Sequence, residues 1–263
     1  MTGRPIVVSN LLRVTQRNAK VYSKIWRSSL FFSFLNPMLF LTAMGVGLGT
    51  LINRNNPRGV GGVTYIAFIA PGLLAAACMQ TATFESSWPV MSKITWQHTY
   101  EAILSTPLNV YEIFLGELTW MAVRVASVAG TFFVAMALFG IASFPVSILA
   151  IPIAVLTGLG FSAAVMAYTA TLEAPDGFNA LFRFVITPLF LFSGTFFPID
   201  RLPTFLRPVA YATPLYHGVA AVRSLTLGQM HAAHLAEHVG YLLVFFSLSV
   251  ALALRSFSKK LIT

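Results

Sequence analysis

"SGTFFPIDRLPTFLRPVAYATPLYHG", Ser193 to Gly218, follows a run apolar enough to lie in a bilayer, yet it carries four prolines together with Asp200, Arg201 and Arg207. As a plain loop it would separate two membrane helices of an up-and-down bundle. As backbone held at membrane depth it would make the architecture less regular. Pro198, Pro203, Pro208 and Pro214 each lack an N–H donor and disfavour a helical residue before them, so only short helical pieces fit between. Ser193 and Gly194 interrupt the preceding run. Broken backbone inside a membrane persists only where protein or water shields it. Phe196 and Phe197 suit apolar surroundings, whereas Asp200, Arg201 and Arg207 suit the outer interface. The stretch therefore reads as partly dipping and partly surfacing, with an ordinary outside loop as the alternative.

Composition decides the fold class around it. Of 263 residues, 57% are hydrophobic and 10% charged, with 23 phenylalanines, which leaves no polar shell for a water-soluble globule. Apolar runs of about 20 residues, enough to cross a hydrocarbon layer of about 30 Å, recur along the chain. They are apolar on every side, without the alternation of a barrel strand. The fold class is all-α and the protein polytopic. The net charge of +9 comes from residues at the margins of the apolar runs, where they orient helices and meet anionic head groups; a nucleic-acid partner is not expected. Cys78 is the only cysteine and can form no internal disulfide.

Met1 to Ser28 holds six of the 17 Lys and Arg residues and no acid, too polar and too long for a signal-peptide n-region. At about 100° per residue, Arg13, Arg17, Lys20, Lys24 and Arg27 share one side of a helix and Leu11, Val14, Val21, Tyr22 and Ile25 the other. Residues 1–28 read as a cytoplasmic amphipathic interfacial helix, or else as a basic tail that only sets topology. Residues 29–263 read as one transmembrane domain. Its spans are expected at 29–51, 63–83, 118–141, 146–170, 179–193 and 235–254, six in all. With both termini cytoplasmic, the inner segments collect the six N-terminal cations plus Lys93, Arg183, Arg255, Lys259 and Lys260. The outer segments hold only Arg54, Arg58, Arg201, Arg207 and Arg223. Arg124 falls within the third span, where it either snorkels to the inner surface or faces a polar cavity. The loop from Phe84 to Glu117, with Glu85, Lys93, His98, Glu101, Glu112 and Glu117 among Trp88, Trp96, Tyr100 and Tyr111, suits a short helix along the inner face that offers a surface to a partner, or a connection with no partner.

Catalytic and metal chemistry find little support. No G-x-x-x-x-G-K-[ST] cradle for nucleotide phosphates occurs. Gly45 and Gly49 in "GVGLG" suit close helix packing. "HLAEH", His234 to His238, matches the H-x-x-E-H pattern of a metallopeptidase family, but a zinc peptidase needs a third protein ligand, and after His238 the chain holds no Asp, Glu, His or Cys. With His231, these histidines read as a polar helix start. No catalytic residue and no metal site are expected, and the spans hold almost no acids of the kind that couple transport to protons or sodium. A chain that moves cargo under these conditions takes its energy from another subunit.

The segments "VTYIAFIAPGLLAAACMQTATFES" (63–86), "TYEAILSTPLNVYEIFLGELTW" (99–120), "LTGLGFSAAVMAYTATL" (156–172) and the 193–218 stretch, in this order, resemble type-2 ATP-binding-cassette exporter permeases. The branch they look most like is that of the nodulation-factor (lipo-oligosaccharide) exporters; drug and polysaccharide exporters are more distant. The resemblance covers the whole chain. It implies a half-transporter in the bacterial cytoplasmic (inner) membrane that pairs with a second permease copy, most simply an identical one, and with a cytoplasmic ATPase dimer. The chain itself would need no cofactor, ATP and Mg being held by the ATPase. The cargo would be amphiphilic, a lipo-oligosaccharide or glycolipid. Alternatives are a multidrug or antibiotic efflux permease of the same family and a non-transporting membrane assembly subunit. By the same resemblance, Thr99, Glu101, Ala102, Ile103, Leu104 and Thr106 fall on an ATPase-coupling helix. Gly194, Phe196, Phe197, Pro198, Asp200 and Pro203 fall on a re-entrant outer hairpin that gates the exit.

Overall fold

A computed structural model describes residues 8–24, 26–55, 59–142, 145–229 and 231–262. Among them every extended element is a helix, and the one β feature is an isolated bridge between Val60 and Val63. Helix α1 is Val8–Tyr22. Helix α2 runs from Trp26–Leu41 through a π-helical turn, Thr42–Leu48, into Gly49–Asn55. Helix α3 spans Tyr65–Trp96 with a kink at Ser87; α4 is the short Thr99–Leu104; α5 is Val110–Leu138; α6 occupies Ala150–Thr169 after a 3-10 turn at Val146–Leu149.

The broken region follows. Helix α7 joins Asp176–Leu181, the π turn Phe182–Ile186 and Thr187–Phe192; α8 is Arg207–Tyr211, α9 Pro214–Thr226 and α10 Ala232–Ile262. Among the described residues five helices, within Phe34–Ile52, Tyr65–Trp96, Val110–Leu138, Val146–Thr169 and Ala232–Ile262, are long and apolar enough to cross a membrane. The expected fifth span, 179–193, corresponds to α7, whose three pieces of six, five and six residues rise about 25 Å at about 1.5 Å each, somewhat short of the hydrocarbon thickness. Ile25, assigned above to the apolar face of the N-terminal helix, lies outside the described residues.

Two boundaries differ from expectation for local reasons. The inner loop expected from Phe84 to Glu117 shrinks to the residues between Trp96 and Val110, because α3 runs on to Trp96 and α5 starts early. The start of α5 is fixed by a capping box: Asn109 Oδ1 accepts from the Glu112 N–H at 2.8 Å and Glu112 Oε2 from the Asn109 N–H at 2.9 Å. Glu117 thus lies on a helix rather than at a loop edge.

Helices α3, α5, α6, α9 and α10 form the packed interior. Ser86 Oγ and Ser162 Oγ share a hydrogen bond of 2.8 Å, and Thr169 Oγ1 donates to the Ser86 carbonyl at 2.9 Å, which joins α3 to α6 by polar contacts that lipid could not replace. Rings of Phe161 and Phe245 tie α6 to α10, and Phe114 against Phe257 ties α5 to α10, with centroids 5.4 and 5.5 Å apart. One end of the bundle gathers α1, α4, the 170–175 turn and the C-terminal Lys260, whose Nζ donates to the Leu172 carbonyl. The other end gathers residues 59–64, 139–142 and 145–149.

Helix α1 docks on α5 through a buried ionic contact. Thr15 Oγ1 donates to the Gly116 carbonyl at 3.1 Å. Glu117, only 1% exposed, accepts from Lys93 Nζ at 2.7 and 2.8 Å and from Asn18 Nδ2 at 2.9 Å. One carboxylate therefore holds α1, α3 and α5 together, and each of its oxygens is satisfied. Because an orphaned buried charge is far worse than none, Glu117→Leu is expected to lower stability by about 3–5 kcal/mol and to expose α1 to trypsin at Arg13 and Lys20. Adding Lys93→Met to Glu117→Leu should restore most of the loss. Thermal unfolding in detergent and the rate of limited proteolysis measure both.

Candidate functional site

The 193–218 stretch is organised around one arginine. Gly194 adopts φ +78°, a conformation open to glycine, and this turns its carbonyl toward Arg223 on α9. Arg223 NH2 donates to the Gly194 carbonyl at 2.8 Å and Nε to the Phe68 carbonyl at 3.1 Å, while the guanidinium lies 3.9 Å from the centroid of the Phe68 ring. A single side chain thus ties the break after α7, the outer end of α3 and α9. Ser193, Gly194 and Thr195 are buried; Phe196, Phe197 and Pro198 are half-buried; Asp200 and Pro203 are exposed. Phe196 packs between Phe190 and Phe40, with ring centroids at 5.0 and 6.4 Å. Phe197 joins a small cluster with Ile199, Leu202 and Ala210, separate from the main core. Arg207 closes this lobe by donating to the Leu202 and Asp200 carbonyls, and Tyr211 Oη donates to Asp200 Oδ1 at 3.2 Å.

Thr213 caps α9, its Oγ1 accepting from the Tyr216 N–H, with Pro214 in the first turn where a missing donor costs nothing. Gly218 lies so close to Thr157 that a Cβ there would stand 2.5 Å from Thr157 Oγ1. Thr157 sits two turns inside α6, about 10 Å from its outer end, so α9 begins deep and rises toward the 3-10 turn at Val146–Leu149. His217 Nδ1 and His238 Nδ1 are 2.9 Å apart, and His217 stacks on Tyr241 at 3.8 Å. His234 lies 3.9 Å from Glu237 on the exposed start of α10. Among the described residues, no three His, Cys, Asp or Glu side chains gather as a metal site would need.

At the opposite end, α4 is a single exposed turn and a half between α3 and α5. His98 precedes it at φ +46°, and its Nδ1 lies 3.1 Å from Glu101 Oε2. Glu101, Ala102 and Thr106 are exposed and Thr99, Ile103 and Leu104 half-buried, so this end of the bundle shows solvent three of the six positions fully and three in part. Tyr100, fully buried, anchors α4 against Phe257 at 6.1 Å. Burial, reinforced by the Glu117 carboxylate, pushes the Tyr100 phenol well above its ordinary range, so it stays protonated.

Between the two ends, α2, α3 and α7 line a lateral groove. A cavity of about 790 Å³ meets Asn36, Phe40, Gln80, Thr81 and Phe190, and one of about 470 Å³ continues from Gln80, Thr81 and Phe190 to Thr187, Glu85 and Arg124. Arg124 therefore faces a polar cavity rather than reaching for the surface. Its NH2 donates to Glu85 Oε1 at 2.9 Å and NH1 to Tyr22 Oη at 2.8 Å.

The bundle thus has an exposed turn at one end, a pinned break at the other and a polar-edged groove between them, and comparison with known proteins says what kind of bundle it is. The family model for the ABC-2 type transporter matches residues 9–227. The chain belongs to that family. The permease is similar to Nodulation protein J of Rhizobium leguminosarum bv. trifolii, 34% identical over 259 residues, 97% of each chain. Nodulation protein J of Rhizobium meliloti (strain 1021) is 35% identical over 251 residues, 94% of this chain and 93% of that one. The inner membrane transport permease YadH of Escherichia coli (strain K12) is 24% identical over 225 residues, 85% of each. The protein is thus a multi-pass transmembrane permease of an ATP-binding-cassette exporter, and its family implies an ATPase partner.

The residues singled out in the sequence fall into two groups at opposite ends of the permease. Thr99, Glu101, Ala102, Ile103, Leu104 and Thr106 lie on and just after the short helix α4; Gly194, Phe196, Phe197, Pro198, Asp200 and Pro203 lie in the break after α7. The sequence marked Arg223 only as a topology cation and Tyr100 only as a loop aromatic, and their anchoring roles escaped it. A cation eight residues into an apolar segment is a signal for the first; nothing in sequence marks the second, whose partner lies 157 positions away. Replacing Arg223 by Met leaves the Gly194 and Phe68 carbonyls without a donor. In a Cys78→Ser background, a cysteine at Phe196 should then react with a water-soluble maleimide roughly tenfold to hundredfold faster, as expected for the loss of charged hydrogen bonds. Arg223→Lys should fall between, since one ammonium does not reproduce the forked contact.

Proposed function

We propose that the permease exports an amphiphilic cargo, a lipo-oligosaccharide or related glycolipid first and a lipophilic drug second, across the bacterial cytoplasmic (inner) membrane. It works as an identical pair, with an ATPase dimer on the cytoplasmic face carrying ATP and Mg. The similarity to two nodulation J proteins over more than nine-tenths of their length supports the cargo class. The exposed α4 turn supports the ATPase contact: Thr99, Glu101, Ala102, Ile103, Leu104 and Thr106 form the coupling surface, and buried Tyr100 transmits its movement to α10 through Phe257. At the other end, Gly194, Phe196, Phe197, Pro198, Asp200 and Pro203 belong to a re-entrant outer gate hinged on Arg223, with α7 serving as the sixth span that carries the chain to it. Residues 1–28 form the interfacial unit and 29–263 the transport domain.

Topology is the first test. In a Cys78→Ser background, a cysteine at Gln229 should label with an impermeant thiol reagent in intact cells, and one at Ser105 only after permeabilisation; the reverse pattern overturns the orientation. Coupling is the second. Glu101→Lys reverses an exposed charge, 65% accessible, without touching the spans. It should leave insertion intact while reducing co-purification with the ATPase, or the hydrolysis stimulated by cargo, by about two- to tenfold, the range of a rim charge. Unchanged ATPase binding and export would remove α4 from the coupling surface.

A further inference from the structure

Beneath α1 lies a third cavity, of about 390 Å³, bounded by α1, the inner part of α3 and α5. Its wall carries Arg17, Lys93 and Arg124 against a single lining carboxylate, Glu85. Lys93 is engaged by Glu117 and Arg124 by Glu85. Arg17 donates only a 3.3 Å hydrogen bond to Asn18 Oδ1 and makes no ion pair among the described residues. The pocket therefore keeps an excess of positive charge, with hydroxyl and amide donors from Ser92 and Gln97 close by. Its rim is of the opposite character. Val21, 60% exposed, and Trp120 offer apolar surface at the level where α1 meets α5.

We infer that this cavity binds the phosphate head group of an anionic phospholipid of the inner leaflet, with Arg17 as the principal contact and Val21 and Trp120 along the start of the acyl chains. The chemistry matches in both halves. Basic pockets between membrane helices bind anionic heads, a guanidinium presents the forked donors a phosphate accepts, and an indole beside an apolar rim suits the interfacial depth. A free phosphate would use the cations and gain nothing from the rim. The bound lipid would wedge α1 onto α5 beside the Lys93–Glu117 contact, so lipid charge would set how firmly the N-terminal helix is docked. This inference uses the permease's place in a membrane and is independent of its cargo.

The test uses the full chain, purified in detergent and incubated with dioleoylphosphatidylglycerol, dioleoylphosphatidylcholine or inorganic phosphate, with retained lipid read by native mass spectrometry and docking of α1 by trypsin resistance. Phosphatidylglycerol should be retained and should protect α1; phosphatidylcholine and inorganic phosphate should do neither. Arg17→Gln should cut retention about fivefold, while Arg13→Gln, exposed and off the cavity wall, should not. Val21→Glu sets a carboxylate at the exposed rim without disturbing the interior and should abolish retention even if Arg17→Gln proves unstable. Equal retention of both lipids, equal losses at Arg13 and Arg17, protection by inorganic phosphate alone, or retention unaffected by Val21→Glu would each overturn the assignment.

Discussion

Inside a hydrocarbon layer a backbone carbonyl or N–H has no water to turn to, and every break in a helix must find its partners within the protein. The permease meets that constraint at its most irregular point with Arg223. Where α7 ends, the Gly194 carbonyl points away from any helical donor, and the guanidinium takes it up together with the Phe68 carbonyl at the outer end of α3. The same side chain lies on the Phe68 ring, so its charge is met by carbonyl dipoles and an aromatic face rather than by an acid. Without such a donor the break that leads into the short pieces between Pro198 and Pro214 would leave two buried carbonyls unpaired. With it the pieces fold back as a compact lobe closed by Arg207, Asp200 and Tyr211.

The inner end answers the same constraint with ions. Glu117 and Lys93 are placed on neighbouring helices where neither could be tolerated alone, and Asn18 completes the carboxylate's shell from α1. A second pair, Arg124 with Glu85, stands one step away at the inner end of the lateral groove and reaches α1 through Tyr22. The N-terminal helix is thus held by polar contacts at the edge of the membrane, not by apolar burial alone. Such contacts respond to nearby charge.

These two polar knots are joined by the same long helices. Helix α3 carries Phe68 beside the break after α7 and Glu85 and Lys93 at the ionic contacts of the other end. Helix α10 carries His238 and Tyr241 against α9 at one end and Phe257 against Tyr100 at the other. A displacement of the α4 turn would act on α10 through a packed aromatic contact, and α10 in turn bears on the helix that holds Arg223. The rigid element linking inner surface to outer lobe is therefore a helix, with little loop between.

The all-helical membrane fold was legible in the sequence, because runs of about 20 apolar residues leave a chain few other ways to satisfy its backbone in lipid. So were the prolines that shatter the stretch after Ser193, and the order of segments that places the chain in its family. A short helix in the Thr99 to Leu104 region was also legible, though not that only Glu101 and Ala102 of it would be exposed and Tyr100 fully buried. What sequence left open were the partners of isolated polar residues. Arg124 could have snorkelled or faced a cavity, and only the approach of Glu85 and Tyr22, 39 and 102 positions away, settled which. Glu117 looked like the edge of a loop until the Asn109 cap lengthened α5 and brought Lys93 to it. Local propensity and hydrophobic length are written residue by residue, so the chain itself determined where helices form. Charge pairing across a low-dielectric interior depends on which helices become neighbours, and that is decided by packing in three dimensions.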